Sequence, residues 1–174
     1  MTDRPPVEVT NLDRYGSAAL PWSRPHDLLA AAPSPGPGPS FFLGTCRPDE
    51  RPHAAGVGAL WLDGDLYFTS GPGTRKSRNL AANPACTLSV SLNGIDLVLE
   101  GDAVRATDEA TLEEMARRYR EGGWPAEVEG DAFTAPFSAP SAGPPPWHLY
   151  RFTFHTAFGV AAAEPHGATR WRFT

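Results

Sequence analysis

The richest chemistry in the sequence lies in one stretch, Tyr67-Phe-Thr-Ser-Gly-Pro-Gly-Thr-Arg-Lys-Ser-Arg-Asn-Leu-Ala-Ala-Asn-Pro84. An apolar strand ends at Thr69-Ser70, Gly71-Pro72-Gly73 makes a tight loop, and Thr74 is placed to cap a short helix running to Ala82, which Asn83-Pro84 stops. The first N–H groups of a helix have no intrahelical partner, so such a start attracts anions. Arg75, Lys76 and Arg78 add three cations within four positions, and Thr69, Ser70 and Thr74 add hydroxyls. These donor types suit a phosphate held by charge-assisted hydrogen bonds. Lys76 is the only lysine among fifteen basic residues, which singles it out in a chain that otherwise uses arginine. A solvated basic turn would show the same residues, and both readings stay open at this stage.

A second unusual segment closes the sequence: Thr169-Arg-Trp-Arg-Phe-Thr174 carries two aromatics and two guanidinium groups. Trp171 could cover a planar ligand with Arg170 or Arg172 on its polar edge; equally, Trp171 and Phe173 could face a core from a final strand. Nothing else competes. There is no G-x-S-x-G, Walker-type loop, H-E-x-x-H or G-x-G-x-x-G after a strand. The five histidines show no metal spacing and read as surface or core residues, so no metal site is expected. No catalytic acid–base pair or nucleophile can be named.

These segments need a scaffold of short strands. Gly (17) and Pro (19) make up about a fifth of the 174 residues, which excludes a helical bundle or coiled coil. Residues 1–39 read as an N-terminal arm, a short helix near 22–32 with Ser23 as cap, and a Pro/Gly-rich link. Residues 40–174 read as the main domain. Apolar runs at 40–46, 53–62, 65–70, 86–92, 95–105 and 147–163 are expected as strands, with a short last one at 169–173. Asp63-Gly64 and Asn93-Gly94 predict two type I′ hairpins. Asp108 to Glu121 predicts a helix with Leu112, Met115 and Tyr119 on its apolar face, stopped by Gly122-Gly123. Residues 134–146 read as a Pro/Ala/Ser loop. The sum is a mainly β chain with peripheral helices, a closed or nearly closed antiparallel barrel.

Composition bounds the partners. A net charge of −5 and a pI near 5.5 disfavour a nucleic-acid binder. Cys46 and Cys86 stand forty residues apart with no second cysteine near either, so a disulfide framework is not expected and a reducing cytoplasm is. The opening Met1-Thr-Asp-Arg-Pro-Pro has no apolar run for a signal peptide, and the longest charge-free stretch is broken by prolines, so no membrane span is expected.

Four segments in order resemble the pyridoxamine 5′-phosphate oxidase-like FMN-binding split-barrel superfamily: Phe42-Leu-Gly-Thr-Cys-Arg-Pro-Asp-Glu-Arg-Pro-His-Ala-Ala-Gly-Val57, Leu62-Asp-Gly-Asp-Leu-Tyr-Phe-Thr69, Arg75-Lys-Ser-Arg-Asn-Leu-Ala-Ala-Asn-Pro84 and Leu99-Glu-Gly-Asp-Ala103. The closing Thr-Arg-Trp-Arg-Phe is similar to one branch of it. The resemblance implies a six-stranded antiparallel Greek-key split barrel, usually a homodimer with flavin at the subunit interface. It implies that Gly56, Val57 and Gly58 lie along the flavin ring, that Thr69, Arg75, Lys76 and Arg78 hold its phosphate, and that Trp171 and Arg172 stand near the cofactor. The implied function is an FMN-dependent oxidoreductase acting on a small organic molecule. A deazaflavin coenzyme in the same slot, a non-catalytic flavin protein and a haem protein are the alternatives. Arg51 replaces a usual turn glycine, Gly58 stands where a bulky residue is often seen, and the 134–146 insert is long.

Overall fold

The computed structural model describes residues 4–31, 38–140 and 142–174. Residues 33–37 of the expected polyproline link lie outside the described residues. Among the described residues eleven strands and three helices follow one another as β1 (Glu8–Asn11), α1 (Ser23–Ala31), β2 (Phe41–Cys46), β3 (Pro52–Val57), β4 (Leu60–Leu62), β5 (Asp65–Ser70), α2 (Arg75–Ala82), β6 (Ala85–Leu92), β7 (Ile95–Arg105), α3 (Glu109–Glu121), β8 (Glu127–Glu129), β9 (Ala132–Thr134), β10 (His148–Ala161) and β11 (Ala168–Arg172).

Pairing in the main sheet is antiparallel throughout and runs β1-β11-β10-β7-β6-β2-β3, with β5 joining β10 to β4. Only Gly58-Ala59 separate β3 from β4, so the two act as one bent strand. Its first half pairs β2 and its second half pairs β5, which closes a six-stranded barrel of β2, β3/β4, β5, β10, β7 and β6. The split is made by β10. One edge follows β7; the other pairs β5 over His148–Phe152 and then β11 over Thr156–Val160. Between the two halves lies a register shift at Phe154/Thr156. Gly101 faces it, and a Cβ there would stand 2.2 Å from the Thr153 carbonyl oxygen, so the close approach needs glycine.

Alternation of side chains sorts two cores. Phe41, Leu43, Phe68, Leu88, Leu99 and Phe152 fill the barrel. On the other face of β5 and β10, Tyr67 and Leu149 pack with Leu112, Met115, Ala116 and Tyr119 of α3. That helix is capped as expected: the Asp108 carboxylate accepts from Thr111 N at 2.9 Å, and Gly123 adopts φ +93° beyond the end.

Four departures from the sequence expectation have plain causes. The arm is structured: β1 pairs β11, and Leu20 enters the barrel core with Trp22 packed against it. Asp63 (φ +52°) and Gly64 (φ +88°) make the expected I′ turn, but of Asn93-Gly94 only the glycine is left-handed (φ +77°), so the second hairpin closes without one. The expected strand over 53–62 is broken at Gly58-Ala59, and the β8–β9 hairpin lies in a segment whose runs are too short to show alternation. No helix among the described residues is long and apolar enough to cross a membrane.

Candidate functional site

The loop after β5 is built by its own hydroxyls. Thr74 has an extended backbone and caps α2, its Oγ1 accepting from Ser77 N at 3.3 Å and donating to the Gly71 carbonyl at 2.9 Å. Ser77 Oγ donates to Ser70 Oγ at 2.7 Å, and Ser70 Oγ meets Thr74 Oγ1 at 2.8 Å. Ser70 is therefore buried and committed to the loop. Gly71 is pressed against the segment ahead of β10, where a Cβ would meet the Ala142 carbonyl oxygen at 2.5 Å. Thr69 points to the other face of β5 and lines a small cavity of about 160 Å³ with Trp124 and Trp147. Ser70 borders the same cavity, with its hydroxyl held by the loop.

Helix α2 packs on β2 and β3. Asn79, fully buried, donates through Nδ2 to Thr45 Oγ1 at 2.9 Å and so locks the helix to β2. Thr45 pairs across the hairpin with His53, which brings β3 to the same junction. Here the positive charge collects. Lys76 is half-buried and burial lowers its pKa; Arg75 and Arg78 are exposed. His53 is held below its ordinary pKa first by burial and then by the charges of Arg47, Arg75 and Lys76. Among the described residues no carboxylate pairs with Arg47, Arg75, Lys76 or Arg78, whereas the carboxylates of Glu8, Asp65, Glu114 and Asp131 each hold an arginine elsewhere. Three polar atoms at the junction are buried without a hydrogen-bond partner: Arg47 Nε, His53 Nδ1 and Asn79 Oδ1. A buried polar group left unmet costs about 1–3 kcal/mol. Cations without anions, beside unmet polar atoms, fit a bound anion of phosphate type.

β3 is the end strand of its sheet. Gly56 and Gly58 are exposed, with nothing within 4 Å of a Cβ built on either, while Val57 turns inward onto the barrel core. Arg75, Lys76 and Arg78 lie on α2, which packs on β3, the strand that carries Gly56 and Val57 and ends just before Gly58. Trp171 is not presented there. It is 0 % exposed in the barrel core, its Nε1–H donating to the Leu20 carbonyl at 3.2 Å and its ring lying over Gly159. Its neighbour Arg172 turns outward on β11 and reaches Glu8 at 3.6 Å. Of the two readings of this tail, the core reading describes Trp171 within one chain. Arg47, His53 and Asn79 escape the sequence reading; hairpin register, which sets Thr45 against His53, is the signal that would have found the histidine.

Across the outer face, pairing sets Gly56, Phe42, Ser89, Val98 and Phe158 in one row over five strands. Phe42 is 55 % and Val98 38 % exposed, an apolar band that begins at the β3 edge. A groove of about 390 Å³ opens beside it, lined by Thr45, Cys46, Pro52, Thr87, Glu100 and His155 among others.

No curated protein matches the chain. Solved structures share its fold at low identity. A pyridoxamine 5′-phosphate oxidase-related, FMN-binding protein from Nostoc punctiforme is 17 % identical with a TM-score of 0.51, over 74 % of this chain and 78 % of that one. The General Stress Protein 26 of Bacillus anthracis is 15 % identical with a TM-score of 0.51, over 78 % and 89 %. A heme binding protein from Mycobacterium smegmatis is 15 % identical with a TM-score of 0.54, over 81 % of this chain and 54 % of that one. The family model for pyridoxamine 5′-phosphate oxidase matches residues 38–161, well over half of the chain and every strand of the barrel. With that match, and with a closed six-stranded barrel that splits along β10, the chain belongs to the pyridoxamine 5′-phosphate oxidase-like split-barrel family.

Proposed function

We propose that this chain binds FMN and serves as an oxidoreductase for a small organic substrate. The observation that carries the reading is the group of Arg75, Lys76 and Arg78 on α2, without a carboxylate partner among the described residues, on a helix that packs on β3 with its open Gly56. In this reading the phosphate lies at α2, and the flavin ring lies along Gly56–Gly58, where the missing side chains leave room for a planar group. Val57 backs the ring from the core side. The bound flavin supplies the electron-transfer chemistry. The chain's part is to place the ring, hold the phosphate and keep water from one face. The FMN-binding relative from Nostoc punctiforme supports the choice of cofactor.

The same reading makes the chain a homodimer. The band of Phe42, Val98 and Phe158 starts at the ring's position on β3, so a second copy docked there would cover the exposed face of the flavin.

The test is a pair of titrations. Lys76→Ala should weaken FMN by about ten- to a hundredfold, the equivalent of one charge-assisted contact of about 1.5–3 kcal/mol, and leave riboflavin nearly unchanged. Equal losses for both would show that Lys76 supports structure. An absorption spectrum of the purified protein checks the cofactor directly, because a deazaflavin or a haem has its own bands.

A further inference from the structure

Two of the three unmet polar atoms lie outside helix α2. Arg47 stands in the turn after β2, and His53 on β3 faces α2 across Thr45. Both carry a buried nitrogen with no partner, Arg47 Nε and His53 Nδ1. We propose that Arg47 and His53 form the second wall of the phosphate cradle, opposite Arg75 and Lys76, and that His53 takes up a proton from solvent as a phosphomonoester dianion binds. The proposal rests on the FMN reading above and adds to it the residues that read the charge of the phosphate.

The geometry supplies the reason. A cradle built on one short helix contacts a phosphate from one side only. The hairpin of β2 and β3 is bound to that helix by the Asn79–Thr45 hydrogen bond, so its residues are held at a fixed position against α2. The charged groups acting on His53 are Arg47 from the turn and Arg75 and Lys76 from α2, all cationic. Asp49, Glu50 and Arg51 lie at the exposed tip of the turn, with Asp49 beside Arg51. With cations on both sides and partial burial, protonation of the imidazole is disfavoured in the free protein. A phosphate dianion placed among these groups reverses the local field. Its oxygens accept from the imidazolium, so the protonated form is the one that binds it. One proton passes from solvent to the ring, and no other bond changes.

The experiment uses the full chain freed of flavin and titrated with FMN and with riboflavin. Measurements run from about pH 7 to pH 9, above the second ionisation of the phosphate near 6, so the ligand's charge is constant. FMN affinity should fall as pH rises, by at most about tenfold per unit for one linked proton, while riboflavin affinity stays level. Calorimetry in two buffers of different ionisation heat should show uptake of up to about one proton with FMN and none with riboflavin. His53→Gln should remove both the slope and the uptake and weaken FMN. His53→Arg should keep the preference for FMN with no slope, which separates charge reading from folding. Arg47→Met should weaken FMN and spare riboflavin. A wild-type preference for FMN that is flat in pH and indifferent to His53→Gln overturns this proposal and leaves the FMN reading standing. Equal binding of FMN and riboflavin by the wild type overturns both.

Discussion

Replacing Trp171 by alanine tests where the aromatic tail belongs. The indole is 0 % exposed, donates to the Leu20 carbonyl at 3.2 Å, and has Trp22 at 5.4 Å edge-on. A buried tryptophan removes about 200 Å² from water, roughly 5 kcal/mol at about 25 cal/mol per Å², and truncation of such residues costs about 3–5 kcal/mol. For a chain of this length each kcal/mol moves the melting temperature by about 2–4 °C, so the variant should melt roughly 6–20 °C lower. Gly159→Ala probes the same contact from the other side. Its new Cβ would stand 2.7 and 2.8 Å from the indole ring and 3.0 Å from Ile95 Cδ1, an overpacking worth about 1–3 kcal/mol. In the double variant the ring is gone, so most of the alanine's penalty should vanish and the two effects should fail to add by about 1–3 kcal/mol. Thermal and denaturant melts of flavin-free protein measure all three. If Trp171→Ala melts with wild type yet loses FMN, the packing argument is refuted and the residue belongs to the cofactor.

Two further outcomes follow from titratable groups. Glu114 is flanked by Arg117 and Arg118, whose hydrogen bonds lower its pKa from an ordinary 4.5 to about 2. A depressed carboxyl stabilises the fold above its unfolded pKa and loses that as pH falls through the folded value, so melts should show a stability loss between about pH 4.5 and 2 that Glu114→Gln flattens. Because the pair is partly exposed, the slope should also weaken in high salt. Burial in the barrel pushes the Cys86 thiol up to about 12, so an alkylating reagent near pH 8 should leave it unlabelled in the folded protein and label it on unfolding, read by intact mass.

The scaffold was written plainly in the sequence where one physical rule dominates. Asp63-Gly64 specified a I′ turn because both positions need positive φ, and α3 showed its apolar stripe, cap and stop in consecutive residues. The α2 loop was legible for the same local reason. What escaped depends on contacts between distant segments. The strand character of Glu8–Asn11 exists only because β11 offers it an edge, and nothing in those four residues alternates. His53 looked like any other histidine until hairpin register placed it opposite Thr45, and Thr45 mattered only once Asn79 reached it. Trp171 could be read as ligand cover or core because an aromatic residue suits both; the arm's Leu20 and Trp22, which enclose it, lie far away in sequence.

Charge is distributed with the same economy. The chain is acidic overall, yet its cations are sorted. Arg4 and Arg151 meet at the buried carboxylate of Asp65, Arg117 and Arg118 at Glu114, and Arg170 and Arg172 at Glu8. The Arg117 and Arg118 cluster balances because Glu121 joins Glu114, while the Asp65 and Glu8 clusters each keep one positive charge, and all three are screened beyond a Debye length of about 8 Å. Among the described residues Arg47 in the β2–β3 turn and Arg75, Lys76 and Arg78 on α2 have no carboxylate partner, whereas Arg51 in the same turn lies beside Asp49, so these four cations add positive potential where they stand. An acidic surface repels a long polyanion along most of its length, while a single phosphate needs only the one local patch. That contrast supports the FMN proposed above over a nucleic-acid partner, and it does so through which arginines are paired, a property that a net charge of −5 conceals.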